Sequence, residues 1–223
     1  MSGSTKYPRT LHLSWSPGRS RDDLVLRDCS AFVGEEVVIT EKMDGEGTTC
    51  HRNGVHARST TRTPHPARHW VCALQGRIAH RIPNDRRLCG ENVFAEHSIP
   101  YRGLPSYYLL FMAADGEQFR SWDDTVAIAR ELDLATVPVL WRGMWNEASV
   151  RAAAWWRPTY STESEGYVVR VTRAFDAAEF PRTVAKYVRA DHVQTDDHWL
   201  HRKLVRNELA QAATRGARKG RTA

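Results

Sequence analysis

The sequence predicts an α+β domain built on largely antiparallel sheets. Strand-like and helix-like stretches are interspersed, but without the regular strand–helix–strand rhythm that is typical of a parallel sheet. Two strand-like segments, GTTCHR and VHARST, flank Asn53-Gly54, a dipeptide that tolerates positive φ and favours a tight hairpin. No internal repeat and no linker-like stretch divides the 223 residues, so we expect one main domain.

The first half of the chain predicts strands around one helix. Residues 1–35 predict loop with short strands, and EEVVITEK predicts a strand that leads through a glycine-containing turn into the hairpin. PARHWVCALQGRIAHRI carries Trp70, Leu74 and Ile78 four residues apart, which predicts an amphipathic helix beginning near Pro66. LCGENVFA and YYLLFMAA predict two further strands.

The second half predicts three helices and three strands. Ser121 and Asp124 are spaced like a capping box at the start of one helix, and Asn146 caps NEASVRAAAWW, the next. TVPVLW predicts a short strand, and EGYVVRVTR and TVAKYVRA predict two late strands. A final helix is expected from Thr195 to Ala213, with Trp199, Leu204 and Leu209 facing inward.

Charge and composition limit the function classes. The formal net charge of +6 suits a polyanionic partner such as nucleic acid, although a merely basic protein is the alternative. No apolar stretch approaches the roughly 18 residues that span a bilayer, so we expect a cytoplasmic protein without a membrane partner. Four widely spaced cysteines without a CxxC pair favour neither a zinc site nor a disulfide framework.

Several charged residues fall on predicted strands or directly after them. They are Lys42, Asp44, Arg58, Glu91, Glu165, Lys186 and Arg189. A charge on a strand is ordinarily on the solvent face. Here the charges recur beside glycine, in KMDGEG, CGEN and SEGYVVR, and glycine allows a ligand to approach the backbone closely. This pairing favours a binding or catalytic site over a solvated surface.

Lys42-Met43-Asp44-Gly45 resembles the KxDG signature of the covalent nucleotidyltransferases, the superfamily of DNA ligases, RNA ligases and mRNA capping enzymes. KxDG alone is a weak signal, but the order and spacing of further stretches make it specific. RST at Arg58, CGENVFAEHSI at Glu91, YYLLFMAAD, SEGYVVR and VAKYVR resemble the later motifs of that superfamily. Together they extend over residues 41–189, most of the chain.

The resemblance is greatest to small stand-alone RNA ligases. DNA ligases and capping enzymes generally carry an OB barrel after the last motif, and the roughly 34 residues after Arg189 are too few for one. We therefore expect a nucleotidyltransferase domain over 1–190, a C-terminal helix and basic tail over 191–223, and no OB domain. One departure concerns the closing motif, which usually has two basic residues two positions apart. Here Lys186 and Arg189 are three apart and Val184 occupies the other position, so the role of Arg189 stays open.

The resemblance implies that Lys42 attacks the α-phosphorus of ATP with Mg²⁺ or Mn²⁺ as cofactor. Nearby cations such as Lys186, together with metal and desolvation, are expected to lower the pKa of Lys42 and free its lone pair. Glu165 is expected to organise the metal, directly or through water. Asp44 and Glu91 are expected to bind ribose hydroxyls or to orient the lysine.

Further implied contacts concern the base and the phosphates. Phe111 is expected to stack on adenine, with an ordinary core aromatic as the alternative. Glu41 is expected to accept a hydrogen bond from the purine amino group, and Arg58 to contact phosphate. The implied partner is RNA with a 5′-phosphate and a 3′-hydroxyl end. A capping guanylyltransferase, a DNA ligase and a non-catalytic RNA-binding module remain alternatives, and the sequence predicts no oligomeric state.

The histidines give weaker signals. His65 and His69 stand four apart like a metal pair, but no carboxylate or cysteine completes a set, so surface or helix-cap roles are favoured. His192, His198 and His201 are ambiguous between structural and functional roles.

Overall fold

The computed structural model describes residues 5–58, 65–152, 156–190, 192 and 204–211. Within these ranges the strands, in chain order, are β1 Leu11–Leu13, β2 Val25–Leu26, β3 Glu36–Lys42, β4 Glu46–His51, β5 Gly54–Ala57, β6 Arg86–Asn92, β7 Tyr108–Asp115, β8 Gln118–Phe119, β9 Ala135–Thr136, β10 Val139–Met144, β11 Gly166–Val171, β12 Phe175–Asp176 and β13 Val184–Val188. The α-helices are α1 His69–Ile78, α2 Trp122–Glu131, α3 Glu147–Ala152 and α4 Phe180–Thr183.

The strands form two sheets. The first has the spatial order β10-β3-β11-β13-β1-β2, and the second has the order β12-β8-β7-β6-β4-β5 with β9 beside β7. Pairing is antiparallel except for β1 with β13 and β2, and β9 with β7. The predicted α+β class with largely antiparallel sheets is confirmed. Among the described residues, none of the helices has the length and apolar run that crossing a bilayer requires.

The main core lies between the two sheets. Ile39 of β3 and Met112 of β7 belong to one buried cluster that contains side chains from both sheets. On the other face of the second sheet, α1 and α2 pack against Leu88 through Leu74 and Ile128. Burial of each such side chain stabilises the fold by about 1.5–3 kcal/mol. The second sheet is therefore covered on both faces, and the first sheet contributes one face to the main core.

The local signals for turns and caps are confirmed. The hairpin joins β4 to β5, and Gly54 has a φ of 143°, a conformation that side-chain-bearing residues rarely adopt. The Ser121 hydroxyl accepts a hydrogen bond of 3.0 Å from the amide of Asp124 at the start of α2. The side-chain oxygen of Asn146 accepts one of 2.9 Å from the amide of Ser149. These short-range contacts are visible in the sequence because both partners lie within three residues.

The predicted C-terminal helix is wrong where the structure describes it. Residues 204–211 are extended, and isolated β-bridges pair Arg206 with Ala95 and Leu209 with Leu104. Leu204 and Leu209, expected to face inward, are exposed. The rest of the predicted helix, with Trp199, lies outside the described residues. The division of the chain at residue 190 stays a prediction.

Asn207 explains why this segment is extended. Its side-chain nitrogen donates a 2.9 Å hydrogen bond to the carbonyl of Val93, and its side-chain oxygen accepts one of 2.7 Å from the amide of Tyr101. Its own amide donates to the carbonyl of Phe94 at 3.1 Å. These buried backbone groups would lose their partners if the segment formed a helix, which would cost more than helix propensity returns.

Candidate active site

Lys42 is the last residue of β3, and its closest charged partner is Glu165. The pairing of β3 with β11 sets Lys42 opposite Gly166, so Glu165 lies next to the lysine. Lys42 Nζ donates to Glu165 Oε2 over 2.5 Å. The side chains are 23% and 8% exposed, so the ion pair is largely shielded from water. The expected nucleophile and the expected metal-organising carboxylate are therefore in direct contact.

The acidic surroundings set the charge of Lys42. Burial lowers its pKa, but Glu165, Glu91 and Asp44 together favour the ammonium form, and the pKa lies above its ordinary value. Burial and then the charge of Lys42 lower the pKa of Lys186 to about 8. Burial acts to lower the pKa of Lys42, as expected, but the three carboxylates outweigh it. The contribution expected from a bound metal ion stays a prediction.

A cleft of ≈ 320 Å³ opens between the two sheets beside Lys42. Six of the residues that the sequence singles out line it, namely Glu41, Lys42, Arg58, Glu91, Phe111 and Lys186. Glu165 adjoins the cleft through its bond to Lys42. Arg189 is not among the lining residues, because its guanidinium pairs with the exposed Glu163 instead. The structure thus brings most of the predicted residues together. The amide of Arg189 donates to the carbonyl of Glu165 over 3.0 Å, but its guanidinium pairs outside the cleft.

Glu41 has one carboxylate oxygen held and one without a donor. The residue is 1% exposed, and Oε2 accepts a 3.0 Å hydrogen bond from the amide of Thr159. Oε1 is buried and accepts no hydrogen bond from the residues that the structure describes. The nearby Ser164 hydroxyl donates its proton to the carbonyl of Gly166. Burial raises the pKa of Glu41, which shows that its carboxylate is poorly solvated. A hydrogen-bond donor that enters the cleft would therefore stabilise Oε1.

Phe111 lies at an irregularity in β7 that turns it toward the cleft. Cys89 pairs with Met112 and the next residue, Gly90, pairs with Leu110, so Phe111 has no partner on β6. Such a β-bulge re-aims a side chain and breaks the alternation of faces. The ring of Tyr7 contacts Phe111 edge-on, with 5.2 Å between centroids. Phe111 is thus part of the cleft wall and also packs against the core.

Arg170 contacts this bulge, and it is a residue that the sequence did not single out. It is 2% exposed, and its guanidinium donates to the carbonyl of Phe111 and, over 3.1 Å, to the Thr40 hydroxyl. The guanidinium carbon lies 5.3 Å from the centroid of the Trp122 ring. Arg170 belongs to the SEGYVVR stretch, so its position in that motif was the available signal. Tyr7, Arg9 and Asp23 also line the cleft without having been predicted.

The carboxylates of Asp44 and Glu91 differ in their hydrogen bonds and in their access to the cleft. Asp44 Oδ2 accepts hydrogen bonds from the Ser98 amide and hydroxyl at 2.8 and 2.6 Å, and from the Ile99 amide at 3.0 Å. Glu91 lines the cleft from β6, and burial raises its pKa to about 8, against the opposing effect of Lys42. At pH 7 Glu91 is therefore mostly protonated and can donate as well as accept a hydrogen bond.

His192 lies close to both acidic residues of the lysine's surroundings. Its Nε2 is 3.5 Å from Glu165 Oε1 and 4.0 Å from Asp44 Oδ1. The sequence left this histidine ambiguous, since no motif contains it; His198 and His201 lie outside the described residues. His65 accepts a 3.2 Å hydrogen bond from the Ala67 amide, as expected of a helix cap.

Two of the glycines beside charges have a packing role instead of a ligand role. A Cβ on Gly166 would lie 1.9 Å from the carbonyl oxygen of Tyr187, and one on Gly90 would lie 2.5 Å from the ring of Tyr108. Gly47 matches the expectation from the sequence, since it lines the cleft and its missing side chain leaves open space. The glycines thus allow close strand and ring contacts as well as access.

Comparison with known proteins gives a family and several similar structures. The sequence model of the family described as RNA ligase matches residues 35–188, more than half of the chain. A comparison with curated protein sequences gave no significant match. The fold is similar to that of Naegleria gruberi RNA ligase with PPi, at a TM-score of 0.54 and 19% identity over 72% of this chain and 51% of that one.

Two further Naegleria gruberi structures are similar at comparable levels. A variant with ATP and Mn gives a TM-score of 0.53 and 15% identity, covering 83% of this chain and 60% of that one. An apo variant gives a TM-score of 0.52 and 16% identity, covering 73% and 51%. The chain therefore spans roughly half of the length of these structures, and the likeness concerns the fold.

Proposed function

Because this chain belongs to the RNA ligase family, we propose that it is an ATP-dependent RNA ligase that works through a lysyl-AMP intermediate. The observation that carries the proposal is the ion pair between Lys42 and Glu165 at the wall of a cleft large enough for part of a nucleotide. A lysine buried beside acidic groups, with further cations lining the same cleft, suits a nucleophile that attacks phosphorus. A cytoplasmic location, expected from the sequence, is part of the proposal.

The nucleotide would be held by three residues of the cleft. Glu41 Oε1 accepts no hydrogen bond from the described residues, and the exocyclic amino group of adenine could donate one to it. Phe111 presents a ring at the bulge of β7, against which a base can stack. Glu91, mostly protonated at pH 7, can both donate to and accept from the ribose hydroxyls. Guanine presents a carbonyl where adenine has its amino group, so Glu41 favours ATP.

In the first step Lys42 becomes the nucleophile. Its Nζ gives up a proton, for which Glu165 Oε2 at 2.5 Å is the nearest base, and attacks the α-phosphorus of ATP. The new N–P bond forms as the bond from the α-phosphorus to the bridging oxygen breaks, and pyrophosphate leaves with that electron pair. Such phosphoryl chemistry depends mainly on positioning and charge neutralisation. Lys186 and Arg58, which line the cleft, are the cations for the leaving phosphates.

The residues around Lys42 also fit a divalent cation. Asp44 and Glu165 each offer one carboxylate oxygen within 4.8 Å of the other, and carboxylate oxygens are the ligands that Mg²⁺ and Mn²⁺ accept. When bound, the cation supplies Lewis-acid neutralisation of the phosphate charge. Taking one carboxylate of the pair would also weaken the hold of Glu165 on the Lys42 ammonium.

The later steps join RNA ends. The 5′-phosphate oxygen of one RNA attacks the phosphorus of AMP on Lys42, which frees the lysine and leaves an RNA capped by AMP. The 3′-hydroxyl of the second RNA then attacks the 5′-phosphorus and expels AMP. The net charge of +6 supports binding of the polyanionic strands.

The test is incubation of the protein with α-labelled ATP and Mg²⁺ or Mn²⁺, followed by peptide mapping. We expect one label on Lys42, its absence in Lys42→Ala and its retention in Lys6→Ala, whose lysine is exposed. Label from GTP instead of ATP would indicate a guanylyltransferase. RNA binding without any label would indicate a non-catalytic module, and better sealing of DNA than RNA would indicate a DNA ligase.

A further inference from the structure

We propose that Asp44, Glu165 and His192 form a mixed nitrogen–oxygen site that takes one divalent transition-metal ion in preference to Mg²⁺. The inference deepens the proposed function, because the ion would share Glu165 with the reactive lysine. It adds a ligand, His192, that lies beyond residues 35–188, where the family match ends.

The three side chains are close enough to hold one ion. His192 Nε2 is 3.5 Å from Glu165 Oε1 and 4.0 Å from Asp44 Oδ1, and one ligand atom from each residue lies within 4.8 Å of the others. Donor atoms that share an ion at about 2.1 Å are separated by roughly 3.0–4.2 Å, depending on the angle between them. Two of the three separations already lie in this range, and side-chain adjustments of at most about half an ångström bring in the third.

Within the part of the chain that the structure describes, the hydrogen bonds of Glu165 and Asp44 fall on one oxygen of each carboxylate. Glu165 Oε2 is committed to Lys42, and Asp44 Oδ2 is committed to three donors from Ser98 and Ile99. The remaining oxygens, Glu165 Oε1 and Asp44 Oδ1, are the two that His192 faces. Each carboxylate is thus fixed by one oxygen and has its other oxygen within 4.0 Å of His192 Nε2. Fixing a ligand through its second donor atom is how metal sites are pre-oriented.

Burial makes the cluster require positive charge. The side chains of Asp44, Glu165 and His192 are 11%, 8% and 5% exposed. Two carboxylates so close together and shielded from water repel one another unless a cation lies between them. The Lys42 ammonium balances the charge of Glu165 at Oε2. The negative charge near Oε1, on the side that faces His192, is left without a nearby cation among the described side chains. A metal ion supplies two charges there, and a protonated His192 would supply one.

The nitrogen ligand decides the type of ion. Mg²⁺ binds almost entirely through oxygen and holds its waters tightly, whereas imidazole is an ordinary ligand for transition metals. An all-carboxylate site would serve both kinds of ion. With His192 as the third ligand, the site discriminates against Mg²⁺, and substitution of this one residue should remove much of the discrimination.

The experiment uses the full chain with Mn²⁺ as probe and no nucleotide. Titration followed by electron paramagnetic resonance should give one site, and electron spin echo modulation should show coupling of Mn²⁺ to a nitrogen nucleus. Mg²⁺ should displace Mn²⁺ only in large excess. His192→Ala should lose the nitrogen coupling, weaken Mn²⁺ binding about tenfold or more and narrow the preference over Mg²⁺. His69→Ala is the matched control, since His69 is exposed on α1, and it should retain the coupling.

Two further arms keep the proposal open to refutation. If His192→Ala does not fold, ¹⁵N-histidine labelling of the unaltered protein must convert the nitrogen coupling to that of ¹⁵N. Bound Mn²⁺ without histidine coupling, or coupling that persists in His192→Ala, overturns the proposal and indicates an imidazolium ion pair instead. Intact coupling without any AMP on Lys42 would count against the proposed ligase activity alone.

Discussion

Lys42 and Glu165 are joined across neighbouring strands by an ion pair with 2.5 Å between Nζ and Oε2. The pair keeps the lysine charged, as the raised pKa of Lys42 indicates. An ammonium has no lone pair, so the carboxylate that stabilises the proposed nucleophile in the folded protein also prevents it from reacting. Release of that restraint is the event that the proposed chemistry requires first.

Glu165→Gln tests this relationship. The amide keeps the size of the side chain but removes the charge that holds the ammonium and accepts its proton, so transfer of AMP to Lys42 should slow about 10²–10³-fold. The rate of label incorporation at fixed ATP and metal measures it. Glu163→Gln is the control, because Glu163 is 59% exposed and pairs with Arg189, outside the cleft. A Glu165→Gln rate within a few-fold of the unaltered protein would contradict the proposed role of Glu165 as the base.

Lys42→Arg should fold and yet accept no AMP. The guanidinium can keep the ion pair with Glu165, but it stays protonated under all working conditions and offers no lone pair. Thermal unfolding close to that of the unaltered protein, with no label after incubation with ATP, is the expected combination. Any label in Lys42→Arg would place the nucleophile elsewhere.

Glu91→Gln should change how stability depends on pH. Burial raises the pKa of Glu91 from 4.5 to about 8, so between these values the folded state binds a proton that the unfolded chain has released. The free energy of unfolding therefore falls as pH rises through this window. Glu91→Gln carries no such proton and should gain stability relative to the unaltered protein from pH 4.5 to 8.

Urea unfolding of both proteins at a series of pH values from about 4 to about 9 measures this difference. The exposed Glu117 provides the control variant, Glu117→Gln, which should follow the unaltered protein throughout. The stability advantage of Glu91→Gln, measured as the free energy of unfolding, should grow as pH rises. If it shrinks instead, the pKa of Glu91 is not raised by folding.

Glu41→Gln should shift the choice of purine. Thr159 donates its amide to Oε2, so the glutamine oxygen is expected there and the NH₂ group at the position of the donor-less Oε1. A donor at that point opposes the amino group of adenine and favours the carbonyl of guanine. Labelling by ATP should fall about tenfold, the worth of roughly one hydrogen bond, and the ratio of GTP to ATP labelling should rise. An unchanged ratio would mean that Glu41 does not contact the base.

Local signals and long-range contacts explain which features the sequence could predict. The Asn53-Gly54 hairpin and the Ser121 cap depend on residues adjacent in sequence, and both are correct. The C-terminal helix failed because Asn207 bonds to backbone groups more than a hundred residues away. The same contrast between local and long-range features holds in the site. Lys42 and Glu165 lie in recognisable motifs, so the sequence could identify them.

The raised pKa of Lys42 depends on three carboxylates from separate segments of the chain, which spacing alone does not reveal. The bulge that turns Phe111 toward the cleft depends on strand register, which is likewise a tertiary property. His192 belongs to no motif, so only the folded chain places it beside Asp44 and Glu165.

Strand type should decide sealing. We expect the protein to join a 5′-phosphorylated RNA to an RNA 3′-hydroxyl, to join matched all-DNA strands poorly, and to lose activity as salt rises. Removal of the basic residues after Ala213, which lie outside the described residues, should weaken RNA binding and leave AMP transfer to Lys42 nearly unchanged. Matched nicked and single-stranded substrates in one buffer provide the comparison. Equal or better joining of DNA would overturn the RNA assignment.

The short strand β1 has a consequence for anyone who shortens this protein. It pairs in parallel with β13, setting His12 opposite Lys186, and it precedes the region that the RNA ligase family shares. A polypeptide begun at residue 35 would leave β13 as an open edge, with unpaired backbone groups beside the buried Val184 and Ala185. Exposed apolar edges recruit further strands and promote aggregation. The family boundary is therefore a poor boundary for expression, because the residues before it cover the edge of the first sheet.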